Sequence, residues 1–473
     1  MISVKNVPVV VVAGASGFIG RYLMMALKSH YRVIGLSRKP VKNVASCQLG
    51  EINWRQCDLF SMVDAEKALG CADYAFYLVH SMMPSAQLTQ GKFEDMDLIL
   101  ADNFSRAAAI AGVKQIIYLG GLVPEKKDNL SLHLRSRLEV EQVLGSHGVP
   151  VTAIHAGLII GAEGSTFGIM VRMIERLRFI ALPNLMKTPT HPIALPDIID
   201  ILSYCLGNPY TYNQSFDVGG PDVLTYREML IKISEIMGYK RSFWTIPSFS
   251  TSLAGILLSF LTGSSISLVR PLVESLKNPM VADNLILQKK MSLPGFTFEK
   301  AVRMSLSTKK GISNINSSLP LKKDNIPLTV RSVQRLPLPR GKDADWVALH
   351  YSFWLQSFFK AFIKVKVDFW GFNFYFRFLR KSLLELTFSY DRSSKDRALY
   401  HITGGQMASL RPYANYGRLE FREVLDKKYV LVAIHDYVPT LPWFIYSFTQ
   451  ARIHLWVMKN FNRHLLKIAV SSD

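Results

Sequence analysis

The chain has 473 residues, too many for one ordinary hydrophobic core, so two domains are expected. With 49% hydrophobic and 19% charged residues the composition is that of a globular protein, not of a disordered or fibrous one. The net charge of +20 is uneven: from residue 301 onward 27 Lys and Arg face 12 Asp and Glu, against 29 and 24 before it, which assigns any acidic partner to the C-terminal part.

The first segment, "PVVVVAGASG", runs from an apolar stretch straight into a glycine turn with no cleavage site, so no signal peptide is expected. Val9 to Val12 read as a central parallel strand, and an amphipathic helix follows the turn. Between them Gly14, Gly17 and Gly20 stand at G-x-x-G-x-x-G spacing. The first allows the turn, the second lets a pyrophosphate approach the backbone, and the third lets helix and strand pack closely. A helix N-terminus placed there offers free N–H groups to phosphate. Nucleotide binding by Gly14, Ser16, Gly17, Phe18, Ile19 and Gly20 is therefore predicted.

The second strand, "YRVIGLSRK", ends in Ser37, Arg38 and Lys39, where an NAD site usually ends in an acid. A guanidinium there suits a 2′-phosphate, so NADP is favoured over NAD. A third strand, "WRQCDL", brings Asp58 and Leu59 to the adenine side. A fourth, "YAFYLVHSM", ends with Leu78, Val79, His80 and Ser81. "KQIIYLGGL" is a fifth strand and "PVTAIHAGLIIG" a sixth, with helical periodicity over 62–70, 93–112 and 134–146 between them. The pattern predicts an α/β, doubly wound parallel Rossmann sheet.

These motifs, with "SFDVGGPDVLTYREML" at 215–230, resemble the atypical extended short-chain dehydrogenase/reductases over roughly residues 7–300. Active members of that family carry a Ser or Thr after the fifth strand and a Tyr-x-x-x-Lys on the next helix. Here the strand ends in Gly120 and Gly121, and the helix carries His133-x-x-x-Arg137. Residues i and i+4 share a helix face, so both would look into the cleft. Arg137 can hold a ribose or phosphate but cannot exchange protons, whereas His133 titrates near neutrality and can. The resemblance implies an NADP-dependent oxidoreductase acting on an apolar small molecule held between the cofactor and the C-terminal domain. It equally covers non-catalytic NADPH holders, among them an accessory subunit of respiratory complex I.

The division expected is 1–305 for the nucleotide domain, a linker at 306–327 rich in Ser, Asn, Lys and Pro, and 328–473 for a basic, aromatic-rich domain. The apolar run 253–261 is too short to span a bilayer. Residues 343–381 crowd aromatics among lysines and arginines, as core rings with solvated cations or as a surface facing anionic membrane. Segments 381–391, 397–407, 417–425 and 428–438 read as an antiparallel meander. A long last helix from Pro442 is expected to bury Phe444, Phe448, Ala451, Leu455 and Met458 as one face. An antiparallel sheet closed by such a helix resembles the START-like helix-grip fold, and this part also resembles an uncharacterised domain fused to bacterial atypical dehydrogenases. Such a domain implies a lipid or other apolar ligand. No metal site is expected from His435, Asp436, His454 and His464, no nucleic-acid motif accompanies the basic stretch, and four scattered cysteines point to a reducing, cytoplasmic setting.

Overall fold

The computed structural model describes residues 7–39, 49–80, 88–124, 130–246, 278–311, 329–368, 370–378, 380–409 and 417–471. Ser81, Cys47, the run 253–261 and most of the expected linker lie outside them. The chain forms two units, one of residues 1–82 and 100–323, the other of residues 83–99 and 324–473. Division by sequence order alone assigns 83–99 to the first domain.

In the first unit seven strands pair in parallel: Val9–Ala13 (β1), Arg32–Ser37 (β2), Ile52–Gln56 (β3), Tyr74–Tyr77 (β4), Gln115–Gly121 (β6), Val151–Ala156 (β7) and Gln214–Val218 (β8). Their order is β8-β7-β6-β4-β1-β2-β3. The chain winds outward from β1 to β3, then crosses to β4 on the other side of β1. That reversal opens a crevice at the carboxyl edge beside β1, where open α/β sheets bind ligands. All five residues of β1 are buried, as a strand covered on both faces requires. The helices are Phe18–Leu27 (α1), Met62–Leu69 (α2), Phe93–Ala111 (α3), Leu132–Gly145 (α4), Ser165–Arg176 (α5), Leu195–Cys205 (α6), Tyr226–Ile236 (α7) and Phe298–Gly311 (α8). Leu23 of α1 and Ile198, Ile201 and Leu202 of α6 pack with Val10 and Val12 in one core. Phe167, Ile174, Met229, Ile233 and Val302 of α5, α7 and α8 form another. Because α8 runs on to Gly311, residues 306–311 are helix where a linker was expected.

The second unit holds a mixed eight-stranded sheet. Its strands are Leu88–Gln90 (β5), Val330–Pro337 (β9), Ile363–Asp368 (β10), Gly371–Phe376 (β11), Ser382–Phe388 (β12), Arg397–Gly404 (β13), Arg418–Val424 (β14) and Tyr429–Tyr437 (β15). The order is β10-β11-β12-β13-β14-β15-β9-β5, antiparallel except for the last pair. The turn between β14 and β15 holds Leu425, Asp426 and Lys427 all at positive φ, which a tight reversal there demands. Helices Ala344–Phe358 (α9), Trp443–Phe448 (α10) and Gln450–Ser471 (α11) follow in chain order. Val347 of α9 and Phe461 and Leu465 of α11 pack on Phe421 and Val432 of the sheet. Within the sheet Glu420 accepts from Arg397 at 2.5 Å and from His435 at 3.0 Å, and also pairs with Arg422. Asp436 bridges Arg331 and Arg418 at 3.0 and 2.8 Å, so these charges are satisfied inside the fold.

The last helix differs from expectation. It is broken at Thr449, whose hydroxyl donates to the Ile445 carbonyl at 2.6 Å, and the break changes the phase of the two segments. Ala451, Val457, Met458, Phe461 and Leu465 are buried, whereas Phe444, Phe448 and Leu455 are exposed. The stretch 343–381 is likewise split. Phe372 and Phe374 are core, but Phe353, Phe358, Phe362, Trp370, Phe376 and Phe378 face solvent.

Candidate functional site

The glycine turn is built by steric need. Gly14 has φ +84°, and a Cβ on it would lie 2.6 Å from the Leu78 carbonyl oxygen. A Cβ on Gly20 would meet the Gly14 oxygen at 2.4 Å, so α1 could not lie this close to β1 with any larger residue. Gly17 caps α1, its N–H donating to the Gly14 carbonyl at 2.9 Å. Among the described residues no side chain caps this helix, and its first turn holds no acid. The leading N–H groups, with the positive end of the helix dipole behind them, are left for an anion.

This turn forms one wall of a cavity of about 550 Å³ within the first unit. Of the residues expected at the site, Gly14, Gly17, Phe18, Ile19, Gly20, Leu78, His80, His133 and Arg137 line it. Ser131 caps α4, accepting from the Leu134 N–H at 3.3 Å, and so aligns His133 and Arg137 one turn apart. The His133 ring lies 5.0 Å from that of His80, tilted by 58°. Arg137 has its Nε buried with no hydrogen-bond partner among the described residues, while its carbonyl accepts from the Tyr118 hydroxyl at 3.2 Å.

Ser16, Ser37, Arg38, Asp58, Leu59 and Val79 are not part of this wall. Strand order explains part of that, since β2 and β3 lie outward from β1 along the same edge. Ser37 is buried at the end of β2, its hydroxyl accepting from the Lys39 N–H at 3.2 Å, and Arg38 beyond it is exposed. Asp58 lies two residues past β3 and accepts from the Phe60 N–H at 3.1 Å.

The opposite wall brings residues that sequence reasoning did not single out: Glu163, Ser165, Thr166, Tyr226 and Met280. Tyr226 opens α7 directly behind the reciprocal Thr225–Glu228 capping box, whose T-x-x-E spacing is visible in the sequence. Ser165 opens α5, which, like α1, has a glycine N-cap, no side-chain cap and no acid in its first turn. A Cβ on Gly161 would strike the Phe18 ring at 2.3 Å, so this loop owes its place to that glycine. Glu163 is ion-paired to Arg21 of α1.

Behind α4 lies a second cluster. His155 of β7 sits between Glu141 of α4 at 2.6 Å and Asp217 of β8 at 3.1 Å. Burial works to lower its pKa, but the two carboxylates outweigh that and hold it up at about 9. The imidazolium thus clamps α4, and with it His133 and Arg137, to the sheet. A Cβ on Gly120 would lie 3.0 Å from the Tyr118 ring and 3.2 Å from His155, leaving a hydroxyl-bearing side chain little room there. Among the described residues no group of three or more His, Cys, Asp or Glu could hold a metal ion.

Residues 10–129 match the NAD dependent epimerase/dehydratase family. Over 144 residues, 30% of this chain, the sequence is 35% identical to the auxiliary protein GraX of Staphylococcus aureus and spans 42% of that relative's length. Among solved structures, a nucleoside-diphosphate-sugar epimerase of Staphylococcus aureus is similar with a TM-score of 0.50 at 15% identity, over 62% of this chain and 99% of that one. The triphenylmethane reductase of a Citrobacter species has a TM-score of 0.50 at 17% identity, over 63% and 99%. At these identities the two structures establish the shared fold.

Proposed function

We propose that the first unit binds NADP at the glycine turn and that the protein is an oxidoreductase acting on an apolar small molecule. The observation that carries the cofactor reading is the bare, acid-free N-terminus of α1 at the cavity wall, beside glycines that any Cβ would close. Arg137 fits the same reading, since it lines the cavity from α4 and its buried Nε has no hydrogen-bond partner among the described residues. Ser37, Arg38 and Lys39, with no acid closing β2, favour a 2′-phosphate over a free ribose hydroxyl. When bound, the nicotinamide supplies hydride chemistry. The chain then has to position and to move a proton. His133 is the residue for the proton, because an imidazole nitrogen can both donate and accept one. Arg137, permanently charged, positions and does not exchange. Leu158 and Met280 give the wall an apolar part for the substrate.

A second reading has its own observation. Position 120 has little room for the hydroxyl that active relatives use, and no tyrosine stands on α4. A protein that holds NADP as a sensor, scaffold or accessory subunit fits those features, and the relative at 35% identity is itself named an auxiliary protein. Both readings need the cofactor, and Gly17→Val tests it. A Cβ there already lies 3.0 Å from the Gly14 oxygen, and the added methyls fill the space a pyrophosphate needs. The variant should keep its circular dichroism spectrum and lose NADPH binding. A folded variant that binds NADPH as before would remove the glycine turn as the site.

A further inference from the structure

The exposed aromatic side chains of the second unit include a connected band. Phe444 is 73%, Phe448 56% and Trp456 51% exposed. The Phe444 and Phe448 rings lie 5.3 Å apart, and the Arg452 guanidinium sits 5.0 Å over Phe448. Arg452 and Trp456 are one turn apart on α11, on the same face. Trp456 then lies 5.0 Å from Phe358 at the end of α9, and Phe358 5.0 Å from Phe359. The Phe362 N–H donates to the Phe359 carbonyl, and its ring lies 6.5 Å from Phe376 on β11. Phe444 and Phe448 stand on α10, ahead of the break at Thr449.

The charge around the band has one sign. Residues 349–381 and 443–471, the two segments that carry it, hold ten Lys or Arg and a single acid, Asp368. Lys360, Arg377 and Arg452 stand among the rings, all exposed. A connected apolar surface of this kind marks an interaction site. A second copy of the same face would set cations against cations, which disfavours self-association. Single-stranded nucleic acid would stack on the rings but gains nothing from exposed Ile445 and Ile453 beside them, whereas acyl chains take both. Among the described residues no helix is long and apolar enough to cross a membrane.

We infer that this band seats the protein on an anionic bilayer surface, with α10 and the start of α11 at the headgroup boundary and Lys360, Arg377 and Arg452 on lipid phosphates. Aromatic rings and cationic side chains with long apolar stems suit that boundary. The inference rests on the second unit alone and is independent of the cofactor.

The test is co-sedimentation of the full chain with phosphatidylcholine vesicles, with and without phosphatidylglycerol. Binding should need the anionic lipid and fall steeply as salt shortens the Debye length from ~30 to ~8 Å. The triple variant Phe444→Ser, Phe448→Ser, Trp456→Ser should bind at least about tenfold more weakly, from the apolar burial it loses. Its circular dichroism should stay unchanged, since all three side chains are exposed. Should that variant misfold, Lys360→Glu with Arg452→Glu should produce the same loss by reversing charge. Absence of sedimentation at low salt would overturn the inference. So would binding indifferent to both variants, or a single-stranded oligonucleotide bound more tightly than the vesicles.

Discussion

His155→Gln should weaken the protein far more below neutral pH than above pH 9. In the native chain the imidazolium lies between Glu141 at 2.6 Å and Asp217 at 3.1 Å and is half of two ion pairs. Its folded pKa is about 9, where burial alone would have lowered it below 6.5. A folded value raised above the unfolded one means stability fully present below about pH 6.5 and lost as pH rises through about 9. The gap between those values is worth roughly 3 kcal/mol at most. Glutamine keeps a hydrogen-bonding side chain but carries no charge at any pH. Urea unfolding of both proteins at about pH 6 and about pH 9.5 gives four stabilities, and their double difference cancels every other titrating group. That double difference should be about 2–3 kcal/mol, the variant's deficit being larger at the lower pH. A deficit of equal size at both values would refute the clamp, leaving His155 as packing only.

Other outcomes follow from the cavity wall. Arg137→Ala should weaken NADPH binding by roughly 1.5–3 kcal/mol, the worth of a hydrogen bond to a charged group, read by calorimetry. His133→Ala should leave that affinity little changed and lower turnover of any identified substrate by roughly 10²–10⁴-fold, the usual contribution of a positioned acid or base. Full activity in His133→Ala would move the proton donor elsewhere, with Tyr226 on the opposite wall the next residue to replace.

Much of the first unit could be read from local pattern. The apolar run Val9–Val12 and the glycines behind it lie in one short stretch, and periodicity over 62–70 and 93–112 ends within a residue of α2 and α3. The helix expected from residue 134 starts two residues earlier because Ser131 caps it, a signal present in the sequence but outside the apolar repeat. The meander β12–β15 was readable from the four strand-like segments between residues 381 and 438. The pairing of β5 with β9 was not. Three residues carry no periodicity, and their partners lie more than 200 positions away, so only the folded chain brings them together. The break at Thr449 was hidden for another reason: no Gly or Pro marks it, and a threonine bonding back to its own helix looks like any helical residue. The cavity divides the same way. Gly14, Gly17, His133 and Arg137 belong to contiguous motifs, whereas Glu163 and Thr166 stand at the entry to α5 beyond β7 and Tyr226 opens α7 beyond β8.

The proposed NADP site joins the start of α1 to the Ser37-Arg38-Lys39 end of β2. Calorimetric titration of the full chain with NADPH and with NADH tests it most directly. NADPH should bind more tightly, with Arg38→Ala losing roughly 1.5–3 kcal/mol of affinity toward NADPH and little toward NADH. Equal affinities for the two, with NADPH binding untouched by Arg38→Ala, would contradict it.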